Sequence, residues 1–144
     1  MLRPRTKRPP TDFELLRAIY RRHRDEYENF VQGAPAARKA KIAVPIDIPA
    51  IAKELDVDAN SVWGRLYYHL DPLYEQRSEN GPRKAFFMPA IEADGDCINF
   101  PLLEAVLAGL WQQRRRDLWT LWIAIVSIGI AIGSLIVAVV AAST

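Results

Sequence analysis

The stretch from Leu118 to Ala142, LWTLWIAIVSIGIAIGSLIVAVVAA, limits what this chain can fold into more than any other part of it. No residue from Leu118 to Thr144 is charged, and thirteen of them are Ile, Leu or Val. As a helix rising ~1.5 Å per residue, the stretch covers roughly 36 Å, enough to cross a ~30 Å hydrocarbon core with some tilt. On an insertion scale the aliphatic side chains contribute on the order of −4 to −8 kcal/mol, partly offset by Thr120, Ser127, Ser134, Gly129 and Gly133. A chain of 144 residues cannot enclose a helix that is apolar on every side. The sequence therefore predicts one transmembrane helix over 118–142.

The flanks predict its orientation. Arg114, Arg115 and Arg116 stand directly before the span and no basic residue follows it. An excess of arginine marks the cytoplasmic side, and Trp111, Trp119 and Trp122 gather at the same boundary, where amphipathic rings sit at headgroup level. The expected layout is a cytoplasmic N-terminal domain on a single-pass membrane anchor, with the C-terminus on the far side and the lipid bilayer as a partner. Gly129 and Gly133 form a Gly-x-x-x-Gly, and Ser127, Ala131, Ser134, Ala138 and Ala141 make a second small-residue stripe. Small residues let helix backbones approach closely, so a homodimer through this helix is also expected.

The residues ahead of the span suffice for one small domain. MLRPRTKRPP has no apolar run behind it, which argues against a secretory signal. The single cysteine, Cys97, leaves no internal disulfide and no multi-cysteine zinc site, and is expected as a small strand residue. Charge is divided unevenly. Residues 1–41 hold eleven Lys/Arg against five Asp/Glu, whereas residues 42–113 hold five against eleven. Such blocks predict either two binding faces or one block docking on the other.

In chain order, residues 1–10 place Arg3, Arg5, Lys7 and Arg8 among prolines and predict a flexible basic arm, suited to phosphate or to an anionic leaflet. Residues 11–32 predict an amphipathic helix. Thr11 and Glu14 have capping-box spacing, and Phe13, Leu16, Tyr20, Tyr27, Phe30 and Val31 share one stripe with His23 packed among them. Gly33 and Pro35 end it, and residues 33–41 form a small, basic, mobile linker. Ile42 to Ile46 predicts a strand that Pro45 confines to an edge. Asp47 can cap a helix from about Ile48 to Leu55, and Asp58 a second from about Ala59 to Leu70.

Two such helices joined by Asp56-Val57-Asp58 make a helix-turn-helix, with Ile51, Ala52, Leu55, Val57, Val62 and Leu66 as its packing core. In this segment, IPAIAKELDVDANSVWGRL, the chain resembles the winged helix-turn-helix superfamily, over residues 42 to about 90. Asp56 stands where that motif usually has Gly, at a position needing a left-handed backbone that Asp tolerates better than most residues. Leu73–Arg77 and Lys84–Met88 flank Asn80-Gly81 and predict a hairpin where the family carries its wing. A second reversal at Asp94-Gly95 joins Ala90-Ile91 to Cys97–Phe100. That loop is too short for a calcium site and reads as an ordinary turn. Residues 101–117 predict a juxtamembrane helix with Pro101 in its first turn. The fold class is thus α+β: a small winged helix-turn-helix domain over residues 42–100, then a long C-terminal helix entering the span.

Catalytic patterns are missing from the sequence. It has no Gly-rich phosphate loop, no Gly-x-Ser-x-Gly and no His-Glu-x-x-His, and its two histidines, His23 and His69, stand far apart. No enzymatic activity, cofactor or metal is expected. The resemblance implies that the second helix enters the major groove and the wing touches the DNA backbone. By position it directs Asn60, Ser61, Trp63, Gly64, Arg65, Tyr68 and His69 toward duplex DNA, places Arg77, Arg83 and Lys84 on phosphates, and adds Arg3 and Arg5 from the arm. The function so implied is a membrane-anchored DNA-binding regulator or DNA tether. Against it, the second helix holds one arginine and no lysine within an acidic domain, while DNA affinity comes mostly from neutralised phosphates. The alternative is a membrane-tethered adaptor whose Trp63, Tyr67, Tyr68, Phe86 and Phe87 meet a protein partner.

Overall fold

A computed structural model describes residues 8–34, 38, 40–91 and 94–143; Arg3 and Arg5 lie outside them. Among the described residues the architecture is α+β: four helices, a three-stranded antiparallel sheet and a long apolar C-terminal helix. Two units divide it, Met1–Ala108 and Gly109–Thr144.

Helix α1 (Asp12–Glu28) begins at the Thr11–Glu14 capping box, with Glu14 N–H donating to Thr11 Oγ1 at 3.2 Å and Thr11 N–H donating to Glu14 Oε2 at 2.7 Å. The Thr11 backbone bond, more than the nearby Arg8, holds the Glu14 carboxyl below its ordinary range. The helix is shorter than the expected 11–32. Asn29 departs from helical geometry and closes the last turn on the Asp25 carbonyl, so Val31 falls beyond the helix and is exposed instead of joining the apolar stripe. The buried face is also wider than one stripe, because Leu15, Ala18 and Ile19 are enclosed together with Phe13, Leu16 and His23. In the linker, Arg38 is held in place. Its guanidinium lies 4.7 Å from the Phe30 ring centroid and donates to the carbonyls of Ala40 and Lys41 at 3.1 and 3.0 Å.

Strand β1 (Ala43–Pro45) pairs with β3 (Gly95–Asn99), which also pairs with β2 (Phe87–Ile91), giving the order β1-β3-β2. Pro45 therefore sits on an edge strand, where its missing N–H costs no ladder bond. The β2–β3 register shifts between Met88 and Ile91, where Pro89 cannot donate and Ala90 takes a left-handed φ of 51°. Helix α2 (Ile48–Leu55) is capped by Asp47, and α3 (Ala59–Gly64) by Asp58. Between them Asp56 adopts φ 55°, ψ 45°, the left-handed turn expected of it. After α3 the chain continues as a π-helical turn (Arg65–Leu70) and α4 (Asp71–Tyr74), four residues past the expected end.

That continuation overturns the first predicted hairpin. Residues 71–74 are helical, and Gln76 and Lys84 form an isolated bridge in place of paired strands. The cause is Asp71. Its buried carboxylate accepts the N–H groups of Phe86 and Phe87 at 2.8 and 3.1 Å, so those donors are not free to pair with residues 73–77.

The core of the first unit gathers Leu16 and Ile19 of α1, Ile51 of α2, Val62 of α3, Leu66 and Leu70 of the π turn, and Val44 and Ile98 of the sheet. Each such aliphatic side chain stabilises the fold by about 1.5–3 kcal/mol on full burial. Phe100 and Leu103, at the start of α5 (Phe100–Ala142), complete it, with Tyr20 and Tyr27 stacked on Phe100 at centroid distances of 5.5 and 4.5 Å. The opposite charge blocks meet here: Arg21 and Arg22 of α1 reach Glu54 of α2 at 2.8 and 3.6 Å.

Candidate functional site

The helix that begins at Ala59 carries most of the residues that the resemblance directs toward DNA. Asp58 Oδ1 accepts the backbone N–H groups of Asn60 and Ser61 at 3.0 and 3.3 Å, leaving both side chains exposed at the helix start. One turn on, Trp63 is half-buried. It stacks on Tyr67 at 4.8 Å, meets Tyr68 edge-on at 6.1 Å, and rests its edge on the core ring of Phe87 at 6.2 Å. Tyr68 is 74% exposed and Tyr67 39% exposed. These three rings form an aromatic surface anchored to the core through Phe87. Phe86 and Phe87 do not belong to that surface, contrary to expectation. Both are fully enclosed, since Asp71 draws their backbone N–H groups inward.

The basic residues have a different fate. Arg65 turns back onto the start of α1, with its Nη2 2.7 Å and its Nε 2.8 Å from Asp12 Oδ1 and its Nη1 donating to the Pro10 carbonyl. His69 lies 3.3 Å from the other Asp12 oxygen. Arg83 donates to both Asp71 and Glu75, and Arg77 reaches Glu75 at 2.5 Å. Arg83, then Arg77, holds the Glu75 carboxyl below its ordinary range, and Glu75 in turn raises Arg83. Arg65, Arg77 and Arg83 are thus each paired with a carboxylate of their own domain, Arg65 half-buried and Arg77 and Arg83 exposed. Lys84 is exposed. Sequence reasoning missed Asp12, Asp71 and Glu75, the three carboxylates that organise this region. Local spacing does not mark Asp12 or Asp71, because they meet Arg65 and Arg83 from 53 and 12 positions away. Among the described residues no group of three His, Cys, Asp or Glu side chains is placed to hold a metal.

In the second unit, α5 is long and apolar enough to cross a membrane, and none of its most apolar window is buried. Its hydroxyls are satisfied within the helix: Thr120, Ser127 and Ser134 donate to the carbonyls four residues earlier at 3.0, 2.8 and 2.8 Å. Trp111, Trp119 and Trp122 are exposed beside Arg114, Arg115 and Arg116. A Cβ built on Gly129 or Gly133 would meet nothing within 4 Å, so both present open backbone.

Compared with protein-family models, curated proteins and solved structures, the chain matches none.

Proposed function

We propose that this chain is a single-pass membrane protein whose N-terminal unit is a winged-helix module that binds a protein partner through Trp63, Tyr67 and Tyr68. The order helix, strand, helix, helix, strand, strand, with β3 central in the sheet, supports the winged-helix reading. In that reading the wing is the β2–β3 turn, where Asp94 stands instead of an arginine. The observation that carries the choice of partner is the pairing of Arg65, Arg77 and Arg83 with Asp12, Asp71 and Glu75. Turning Arg65 and Arg83 onto phosphates would take the guanidinium partner from a partly buried Asp12 and leave the buried Asp71 with its two backbone donors alone, which is disfavoured. What remains outward is a cluster of aromatic rings, the residue type that dominates protein contacts.

The membrane reading rests on the apolar length of α5 and on its internally satisfied hydroxyls, since lipid offers them no partner. Arg114 to Arg116 ahead of the apolar run favour a cytoplasmic N-terminal unit. A second reading, duplex DNA binding, is favoured by exposed Asn60 and Ser61 at the start of the second helix, where that motif meets base edges.

A photoreactive residue in place of Tyr68, in the full-length protein in native membranes, tests the choice. The expected product is a crosslink to polypeptide that Trp63→Ala removes. A crosslink to DNA, or one indifferent to Trp63→Ala, refutes the reading.

A further inference from the structure

The apolar run of α5 is not uniform around its circumference. Arg115 heads an open groove of about 630 Å³ that continues over Trp119, Trp122, Ile123 and Val126. The spacings 115, 119, 122 and 126 keep these side chains on one helix face, and Arg115 to Val126 spans ~16 Å of rise. We propose that this groove binds one anionic phospholipid, with the headgroup phosphate on Arg115 and an acyl chain laid along the two indole rings. The proposal rests on the membrane-spanning reading of α5.

Charge and polarity select this occupant. Arg65, Arg77 and Arg83 are matched to carboxylates, but Arg115 has no carboxylate partner among the described residues. Asp117 is two residues on, about 200° around the helix, and so faces away. At the far end the hydroxyl of Ser127 is spent on the Ile123 carbonyl, leaving that end without a free donor. A free cation at one end of an apolar channel fits an anionic amphiphile: the guanidinium takes phosphate in a charge-assisted, bidentate contact, and the rings take the chain. A parallel copy of the same helix fits poorly at this level, because it would bring a second Arg115 against the first. Gly129 and Gly133 lie deeper on the same face. Helices crossing there at about 40° diverge toward Arg115, so pairing and lipid occupancy are compatible.

The test uses the full chain reconstituted in phosphatidylcholine vesicles doped with brominated phosphatidylglycerol or brominated phosphatidylcholine, reading quenching of tryptophan fluorescence. The expected result is preferential quenching by the anionic lipid, phosphatidylglycerol. Arg115→Gln should cut that preference about fivefold, the equivalent of ~1 kcal/mol per basic contact near an anionic surface, while Arg116→Gln changes it much less. Equal quenching by the two lipids, or equal loss in Arg115→Gln and Arg116→Gln, overturns the site in favour of a diffuse surface attraction. No quenching by either lipid overturns the membrane-spanning reading itself, and the site with it.

Discussion

Replacing Asp71 with alanine should be the most damaging single change in the N-terminal unit. Its carboxylate is buried, accepts the N–H groups of Phe86 and Phe87, and pairs with Arg83. Alanine leaves two enclosed donors without an acceptor, at about 1–3 kcal/mol each, and uncouples Arg83. Arg83 is half-exposed, so losing its partner adds little, and the two donors set the loss at about 2–6 kcal/mol. For a unit of about 100 residues each kcal/mol moves the melting temperature by about 4–8 °C, so Asp71→Ala should lower it by at least ~8 °C. Asp71→Asn keeps a neutral acceptor for the N–H groups and loses the charge, so about 1–2 kcal/mol is expected. Thermal unfolding of the full chain in lipid nanodiscs, followed by near-ultraviolet circular dichroism, reports the packing of Phe86 and Phe87. A melting temperature for Asp71→Ala within ~4 °C of the wild type would refute the view that Asp71 sets the path of the chain into β2.

Other outcomes follow from the same geometry. Burial holds the His23 imidazole below its ordinary range, against the upward pull of Glu26 and Asp47 and with a small downward push from Arg22; its Nε2 accepts from the Asp47 N–H at 3.5 Å. The unfolded chain then binds the proton more tightly than the folded one, so stability is present above about pH 6.5 and is lost as pH falls below it. His23→Gln should flatten that acid limb in urea titrations, and identical pH slopes in the two proteins would contradict the assignment. At Asp56, with φ 55°, Asp56→Ala should cost ~1 kcal/mol, while Asp56→Gly should be neutral or stabilising; equal effects in chemical denaturation would dismiss the backbone argument. Gly129→Leu combined with Gly133→Leu should lower crosslinked dimer in membranes, and unchanged crosslinking would leave α5 as a monomeric span.

Local signals were legible in the sequence, and the partners that turn the arginines inward were not. Thr11 with Glu14, Asp47 and Asp58 each sit one step ahead of an apolar run and each caps a helix, because capping is decided within four residues. The left-handed Asp56 and the edge placement of Pro45 follow from backbone chemistry of single residues. The resemblance gives Arg65 a groove-reading position, yet its direction is set by Asp12 on a different helix. Asn80-Gly81 signalled a reversal, and Gln76 and Lys84 do meet across it, but the strands did not extend because Asp71 had claimed the donors of Phe86 and Phe87. Consecutive Phe86 and Phe87 alternate in a simple strand, one inward and one outward. Both are buried here because Phe86 precedes β2, which begins at Phe87.

The most direct test of the proposed partner class is the salt dependence of duplex DNA binding by the full-length protein in nanodiscs. With Arg65, Arg77 and Arg83 held by carboxylates, binding should be weak, its logarithm should change little with the logarithm of salt concentration, and Arg65→Ala or Arg83→Ala should leave that slope unaltered. A steep slope that falls by about 0.9 for each of these substitutions, the mark of one phosphate contact apiece, would contradict the protein-binding account and place both arginines on DNA phosphates.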